Sequence, residues 1–198
     1  MNKNSRLSQV EAIVIGASAG GIVALLEIFP HLPADFHIPI IFVLHLPASV
    51  PSLLADVFEK KIKLKIKEAD EKEPIFPGTI YYAPAGYHLL IEADKTFSLS
   101  TEDPVCFSRP SIDVLFESAA SSYKNKLVGI LLTGANTDGS LGLKRIKELG
   151  GLTIIQDPNE AAISLMPESA RPYVRPENIL TLKKITSFLL DIDKAEKK

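Results

Sequence analysis

The chain has 198 residues, 46% of them hydrophobic and 23% charged, which is the balance of one globular domain and excludes a mainly disordered polymer. Lys plus Arg number 22 against 24 Asp plus Glu, a net charge of −2 that offers no basic field for nucleic acid. The single cysteine, Cys106, excludes an internal disulfide or a multi-cysteine metal site, and the four histidines show no paired ligand spacing, so no metal site is expected.

Met1 to Ser8 has no apolar core of a secretory signal. The apolar runs Ala12–Ile15 and Ile38–Leu44 are too short to span a bilayer, so the expectation is a soluble cytoplasmic protein with no membrane insertion. Ala12–Ile15 reads as a buried strand, and a Gly/Ala/Ser turn then leads into a helix over Ile22–Phe29. Pro39–Leu44 reads as a second buried strand and Val50–Phe58 as a second helix, with Pro51 in its first turn. Ile62, Leu64 and Ile66 alternate with lysines, the period of a half-exposed strand whose charges discourage edge-to-edge pairing.

Thr79–Ala83, His88–Glu92 and Thr96–Ser100 are short strand candidates, and Ala93-Asp94-Lys95 is a hairpin-length link between the last two. Ser111–Ser122 reads as a helix capped by Ser111. The continuous apolar run Leu127–Leu132 suits a central parallel strand, and Leu141–Leu149 a helix closed by Gly150-Gly151. Leu152–Ile155 completes the strands, with helices expected at Glu168–Tyr173 and Leu182–Ile192. Strand–helix alternation at both ends predicts an α/β domain: a doubly wound, mainly parallel sheet with helices on both faces and an antiparallel hairpin. Residues 1–198 are expected to form a single domain, with 1–10 and 194–198 as flexible termini.

Ligands of such a sheet bind beyond the carboxyl ends of its strands. Three side chains stand there. Ser18 lies in Gly16-Ala17-Ser18-Ala19-Gly20-Gly21, His45 ends the second strand, and Asp138 lies in the turn Thr133–Gly139. A serine hydroxyl needs a base to remove its proton; histidine does this, and a carboxylate on its other nitrogen stabilises the imidazolium. The Ser18 turn reads G-x-S-x-G, whose small residues permit a sharp strand-to-helix bend, and the helix start beyond it suits an oxyanion. Small residues around a serine also mark plain close packing of helix on strand.

Two rival motifs fit poorly. A dinucleotide fingerprint needs glycine where Ser18 stands, and the second strand ends in His45, not an acid. An α/β-hydrolase orders its triad Ser, acid, His, whereas the order here is Ser18, His45, Asp138.

With these residues assembled, the chain resembles the catalytic domain of the bacterial chemotaxis protein-glutamate methylesterases, the CheB family, from about Ala12 to Tyr173. The resemblance rests on Ile15–Gly21, Leu44-His45-Leu46-Pro47, Tyr82-Ala83-Pro84 with His88-Leu89, Arg109–Asp113 with Leu115-Phe116, Leu132-Thr133-Gly134 with Asp138-Gly139, Gln156-Asp157 and Met166-Pro167. It implies hydrolysis of glutamate γ-methyl esters on the cytoplasmic helices of methyl-accepting chemoreceptors, releasing methanol, with deamidation of receptor glutamines as a related activity and no cofactor. By motif position Ser18 is the nucleophile, His45 the base and then acid, and Asp138 the orienting carboxylate. Ala19 and Ala135 are the candidate substrate and oxyanion positions.

Three residues depart from the family pattern: Ala19 replaces a common threonine, and Ala135 and Asn136 replace the methionine and second glycine of Gly-Met-Gly. Relatives often carry an N-terminal receiver domain, on the order of 100 residues, where about ten precede the first strand here. Constitutive activity or control by a separate response-regulator protein is then expected. An esterase for another ester, and a non-catalytic signalling module with a relict triad, remain as alternatives. Outside the triad, His88 reads as structural and His31 and His37 as solvated. Asp113 reads as compensation of a helix dipole more simply than as a substitute acid, Arg109 as the partner of a nearby carboxylate before that of an acidic receptor helix, and Cys106 as packing.

Overall fold

The computed structural model describes residues 7–46 and 54–197, and strands and helices alternate in it much as the periodicities predict. β1 (Ala12–Ala17) leads into α1 (Gly21–Ile28), and β2 (Ile40–Leu44) is followed by α2 (Leu54–Glu59), β3 (Lys65–Glu68) and β4 (Thr79–Tyr82). The pair β5 (His88–Ile91) and β6 (Phe97–Ser100) precedes α3 (Ile112–Tyr123) and β7 (Leu127–Leu131). Then come α4 (Ser140–Glu148), β8 (Leu152–Gln156), α5 (Leu165–Ala170), β9 (Ile179–Leu180) and α6 (Leu182–Glu196).

Seven strands form one sheet in the order β3-β4-β2-β1-β7-β8-β9 with every neighbour parallel, while β5 and β6 form a separate antiparallel ribbon. Two-residue alternation divides the core. Ile13, Ile15 and Ala17 of β1 face Leu25 and Ile28 of α1 and Ile185 and Leu189 of α6. Ala12 and Val14 face the other way, toward Leu115 and Phe116 of α3 and Leu143 and Ile146 of α4. Both faces of the central strands are therefore covered, which is why their sequences are unbroken apolar runs. The chain turns from one side of β1 to the other between β4 and β7, so the switch point of the sheet lies between β1 and β7. Ser18 follows one of these strands and Asp138 the other.

The lysine-alternating segment becomes a strand only from Lys65, at the sheet edge, with Leu64 and Ile66 buried and Lys65 exposed. The helix expected from Glu168 begins earlier, at Leu165, because Pro167 falls in its first turn, where a missing N–H breaks no hydrogen bond. β9 is two residues long, too short for a period to register. Packing reaches beyond the expected limits at both ends. Leu7 and Val10 are buried in the core, and α6 runs past Ile192 to Glu196, with Lys197 Nζ bonded to Asp193 and Asp35. The Val50–Leu53 part of the second predicted helix, Pro51 included, and Pro47 of the histidine segment lie outside the described residues. No helix among the described residues is long and apolar enough to cross a membrane.

Candidate active site

Ser18 sits one residue beyond β1, at a bend held by two backbone bonds: Ser18 N–H donates to Thr133 O at 2.9 Å, and Gly21 N–H donates to Ser18 O at 2.8 Å. Gly20 makes the bend possible. Its φ is 81°, and a Cβ there would stand 2.7 Å from Ala162 Cβ, so both the left-handed backbone and the space demand glycine. Gly134 is required for space alone, since a Cβ would press within 2.5 Å of Met166 and 3.0 Å of Ser18 Cβ. Ser18 is half-buried, and its hydroxyl has no hydrogen-bond partner among the described residues. It stands beside the first turn of α1, which has neither a side-chain cap nor an acidic residue, so the positive end of the helix dipole is uncovered.

His45 stands one residue beyond β2, its N–H donating to Ala17 O at 3.0 Å. The last registered pair of β1 and β2 is Ala17 with Leu44, so Ser18 and His45 follow as neighbours across strands about 4.8 Å apart. Imidazole Nε2 lies 2.9 Å from Asp138 Oδ2, with the carboxylate fully buried and the ring 11% exposed. The approach is close but poorly aimed, and Nε2 is a buried nitrogen without an aligned hydrogen-bond acceptor. Nδ1 lies 3.4 Å from Ser108 Oγ and 3.4 Å from Asn136 Nδ2. The fold thus brings His45 and Asp138 together and sets Ser18 beside them on the same rim, with no hydrogen bond between Ser18 and His45.

Asp138 is gripped by the start of α3. Oδ1 accepts from Ser111 Oγ–H (2.9 Å) and Asp113 N–H (2.9 Å), and Oδ2 accepts from Ile112 N–H (2.7 Å). Burial alone would raise its pKa, but the His45 contact and the Asp113 and Ile112 N–H groups outweigh that and hold the carboxyl below its usual range. Ser111 is the expected cap, accepting from Val114 N–H at 3.4 Å, but its hydroxyl also donates to Asp138, a role that its capping position did not announce. His88, buried at 1% exposure, is structural as expected. Ser111 N–H donates to its Nδ1 at 3.1 Å, which leaves the proton on Nε2, 3.1 Å from Asp103 O.

Asp113 does more than offset a dipole. Its Oδ1 accepts Gly142 N–H at 2.7 Å, tying the starts of α3 and α4 together. Burial, and then the charge of Asp138, push its pKa up to about 6 against the pull of the Gly142 bond. Arg109 corrects an expectation: its guanidinium donates to Thr101 O (2.7 Å) and Glu102 O (3.1 Å), both backbone carbonyls, so among the described residues no carboxylate is its hydrogen-bond partner. His31 and His37 are exposed, as expected.

The Cys106 thiol and the Asp113 and Asp138 carboxylates lie within 4.8 Å of one another and could in principle hold a cation. Their chemistry disfavours it. Burial and the two carboxylates push the thiol pKa up, away from the thiolate a metal needs, and both carboxylates already accept backbone N–H groups. Ala19 and Ala135 are exposed on the rim, and the backbone N–H of each has no partner among the described residues. Gly134 N–H, by contrast, donates to Ile163 O at 3.1 Å. Asn136 is not among the residues with positive φ, so an asparagine there introduces no left-handed strain; its Oδ1 accepts Asp138 N–H at 3.2 Å.

This succession of strand-end side chains can be compared with known proteins. The model of the family described as CheB methylesterase matches residues 13–189. The chain belongs to the CheB methylesterase family. A Leptospira interrogans protein provisionally named protein-glutamate methylesterase/protein-glutamine glutaminase is 54% identical over 92% of this chain and 95% of its own length. A Carboxydothermus hydrogenoformans protein-glutamate methylesterase/protein-glutamine glutaminase is 39% identical over 93% of this chain but only 55% of its own length. The crystal structure of the Thermotoga maritima CheB methylesterase catalytic domain superposes with a TM-score of 0.88 at 33% identity, covering 92% of this chain and 98% of that one. CheB membership makes the chain a hydrolase-type catalytic domain of chemotaxis.

Proposed function

We propose that the protein acts in the cytoplasm on methyl-accepting chemoreceptors, hydrolysing glutamate γ-methyl esters on their helices and releasing methanol. The observation that carries this reading is the His45–Asp138 contact at the switch point of the sheet, directly beside the Ser18 turn. With Nε2 turned to Asp138, Nδ1 is the nitrogen left to receive a proton.

Ser18 Oγ then attacks the ester carbonyl as His45 takes the hydroxyl proton, and Asp138, already ionised and fixed, stabilises the imidazolium. The negative oxygen of the tetrahedral intermediate is held by free backbone N–H groups, those of Ala19 and Ala135 being available. Collapse breaks the C–O bond to the methoxy group, His45 returns the proton, and methanol leaves. Water, deprotonated by the same imidazole, releases the glutamate. Attack on a glutamine carboxamide would follow the same course with ammonia as the leaving group.

A second reading has its own observation: Ser108 Oγ, not Ser18 Oγ, is the hydroxyl hydrogen-bonded to Nδ1. Ser18 is preferred because it stands beside an uncapped helix start, whereas Ser108 is shared with Cys106 O and Asn136 Nδ2 in a hairpin. The test is methanol release from receptor membranes methylated in vitro. Wild type is expected to release methanol and Ser18→Ala none above background; equal release by both would overturn the assignment.

A further inference from the structure

Among the described residues, every large apolar side chain left exposed, Phe76 apart, sits beyond the carboxyl end of a sheet strand or beside the start of a helix on that rim. Val23 opens α1 just past Ser18, Leu141 opens α4 just past Asp138, and Ile163 and Leu165 flank the start of α5. Isolated exposed apolar residues need no explanation; their gathering around one site does.

Phe107 is the extreme member. It is 103% exposed, so none of the described residues packs on its ring. With Cys106 it forms a two-residue turn between Val105 and Ser108, whose backbones pair in both directions (Val105 N–H to Ser108 O, 3.2 Å; Ser108 N–H to Val105 O, 2.9 Å). Both turn residues have positive φ, 48° and 63°, a hairpin conformation usually given to Gly or Asn. Two ordinary side chains are thus held in a disfavoured backbone state to present a ring that contributes no burial of its own. The turn also abuts the site on both sides. Ser108 Oγ lies 3.4 Å from His45 Nδ1, and the Cys106 thiol lies within 4.8 Å of the Asp113 and Asp138 carboxylates.

Apolar rim and buried acid together define what suits this surface. Asp138 is held ionised beneath the rim, so a neutral ester is accepted and the carboxylate formed from it is repelled. The rim around it suits the apolar side chains of a polypeptide. We infer that Phe107 is a specificity-determining residue that docks on an apolar side chain neighbouring the glutamyl ester of a protein substrate, with Val105 and the helix-start residues covering the rest. The inference rests on the ester-hydrolysis reading above and deepens it: the Cys106-Phe107 turn selects protein-borne esters over small ones.

The experiment measures kcat/KM of the full chain for methylated receptor membranes and for p-nitrophenyl acetate, in wild type, Phe107→Ser and Phe107→Leu. Taking both substrates on one preparation cancels any loss of folded enzyme, because misfolding lowers the two values together and leaves their ratio. Phe107→Ser is expected to lower the ratio of receptor to small-ester kcat/KM about tenfold, through the receptor KM, while Phe107→Leu keeps most of it. An unchanged ratio in Phe107→Ser would overturn the docking role. A wild type that cleaves p-nitrophenyl acetate but releases no methanol from receptor would overturn the underlying reading, and the docking with it.

Discussion

Asp138 and Ser18 occupy the same rim under opposite conditions. The carboxylate is fully buried, and its two oxygens accept three hydrogen bonds from Ser111, Ile112 and Asp113. The hydroxyl is half-buried and unpartnered among the described residues, and the N–H of the next residue, Ala19, has no partner among them either. The difference fits the role proposed for each group. An anion that stabilises a passing imidazolium works best when its surroundings need not reorganise, so the start of α3 fixes it in advance. A nucleophile and its oxyanion donors must stay open, because the substrate is the partner that satisfies them.

Breaking the fixed side should have the largest effect. Asp138→Asn keeps the shape but removes the charge and sets an amide against the N–H groups of α3; methanol release is expected to fall by about 10⁴-fold. A loss below tenfold, measured on folded protein, would show that the carboxylate does not serve His45. Ser111→Ala removes one of the three donors to Asp138 and the side-chain cap of α3 together. It should cost about 1 kcal/mol in chemical denaturation and lower kcat with little change in KM, whereas a purely structural cap would change stability alone.

Asp113 sharpens the comparison through pH. Its folded pKa of about 6 stands above the ordinary carboxyl value of 3.8, so the folded state binds the proton more tightly. The stability it contributes is therefore full below pH 3.8 and is lost as pH rises through about 6. Asp113→Asn lacks that loss. Relative to wild type it should gain roughly 1–3 kcal/mol between pH 4 and pH 7.5 in urea titrations, and a flat difference would contradict the raised pKa. The smallest effect belongs to the open side. Phe107→Gly relieves a left-handed backbone at the expense of chain entropy and should raise stability by up to about 1 kcal/mol, read as a higher urea midpoint.

Legibility in the sequence divides along the same line. Central strands were readable because burial on both faces leaves unbroken apolar runs, as in Ile13–Ile15 and Leu127–Leu132, and parallel winding then put Ser18, His45 and Asp138 on one rim. The grip on Asp138 was only half readable: Ser111 announced a cap, but nothing in one dimension shows that its hydroxyl also reaches a residue 27 positions away. Arg109 misled because a guanidinium suggests a carboxylate, while backbone carbonyls of its own loop satisfied it first. The Cys106-Phe107 turn left no signal at all, since it adopts the conformation of Asn-Gly without either residue.

The central claim, that the His45–Asp138 pair serves the hydroxyl of Ser18, is tested most directly by locating the adduct of a fluorophosphonate probe by peptide mass spectrometry. The account predicts modification of the peptide bearing Ser18, absent in Ser18→Ala and strongly reduced in His45→Ala. Modification at Ser108, or undiminished labelling of Ser18→Ala, would contradict it.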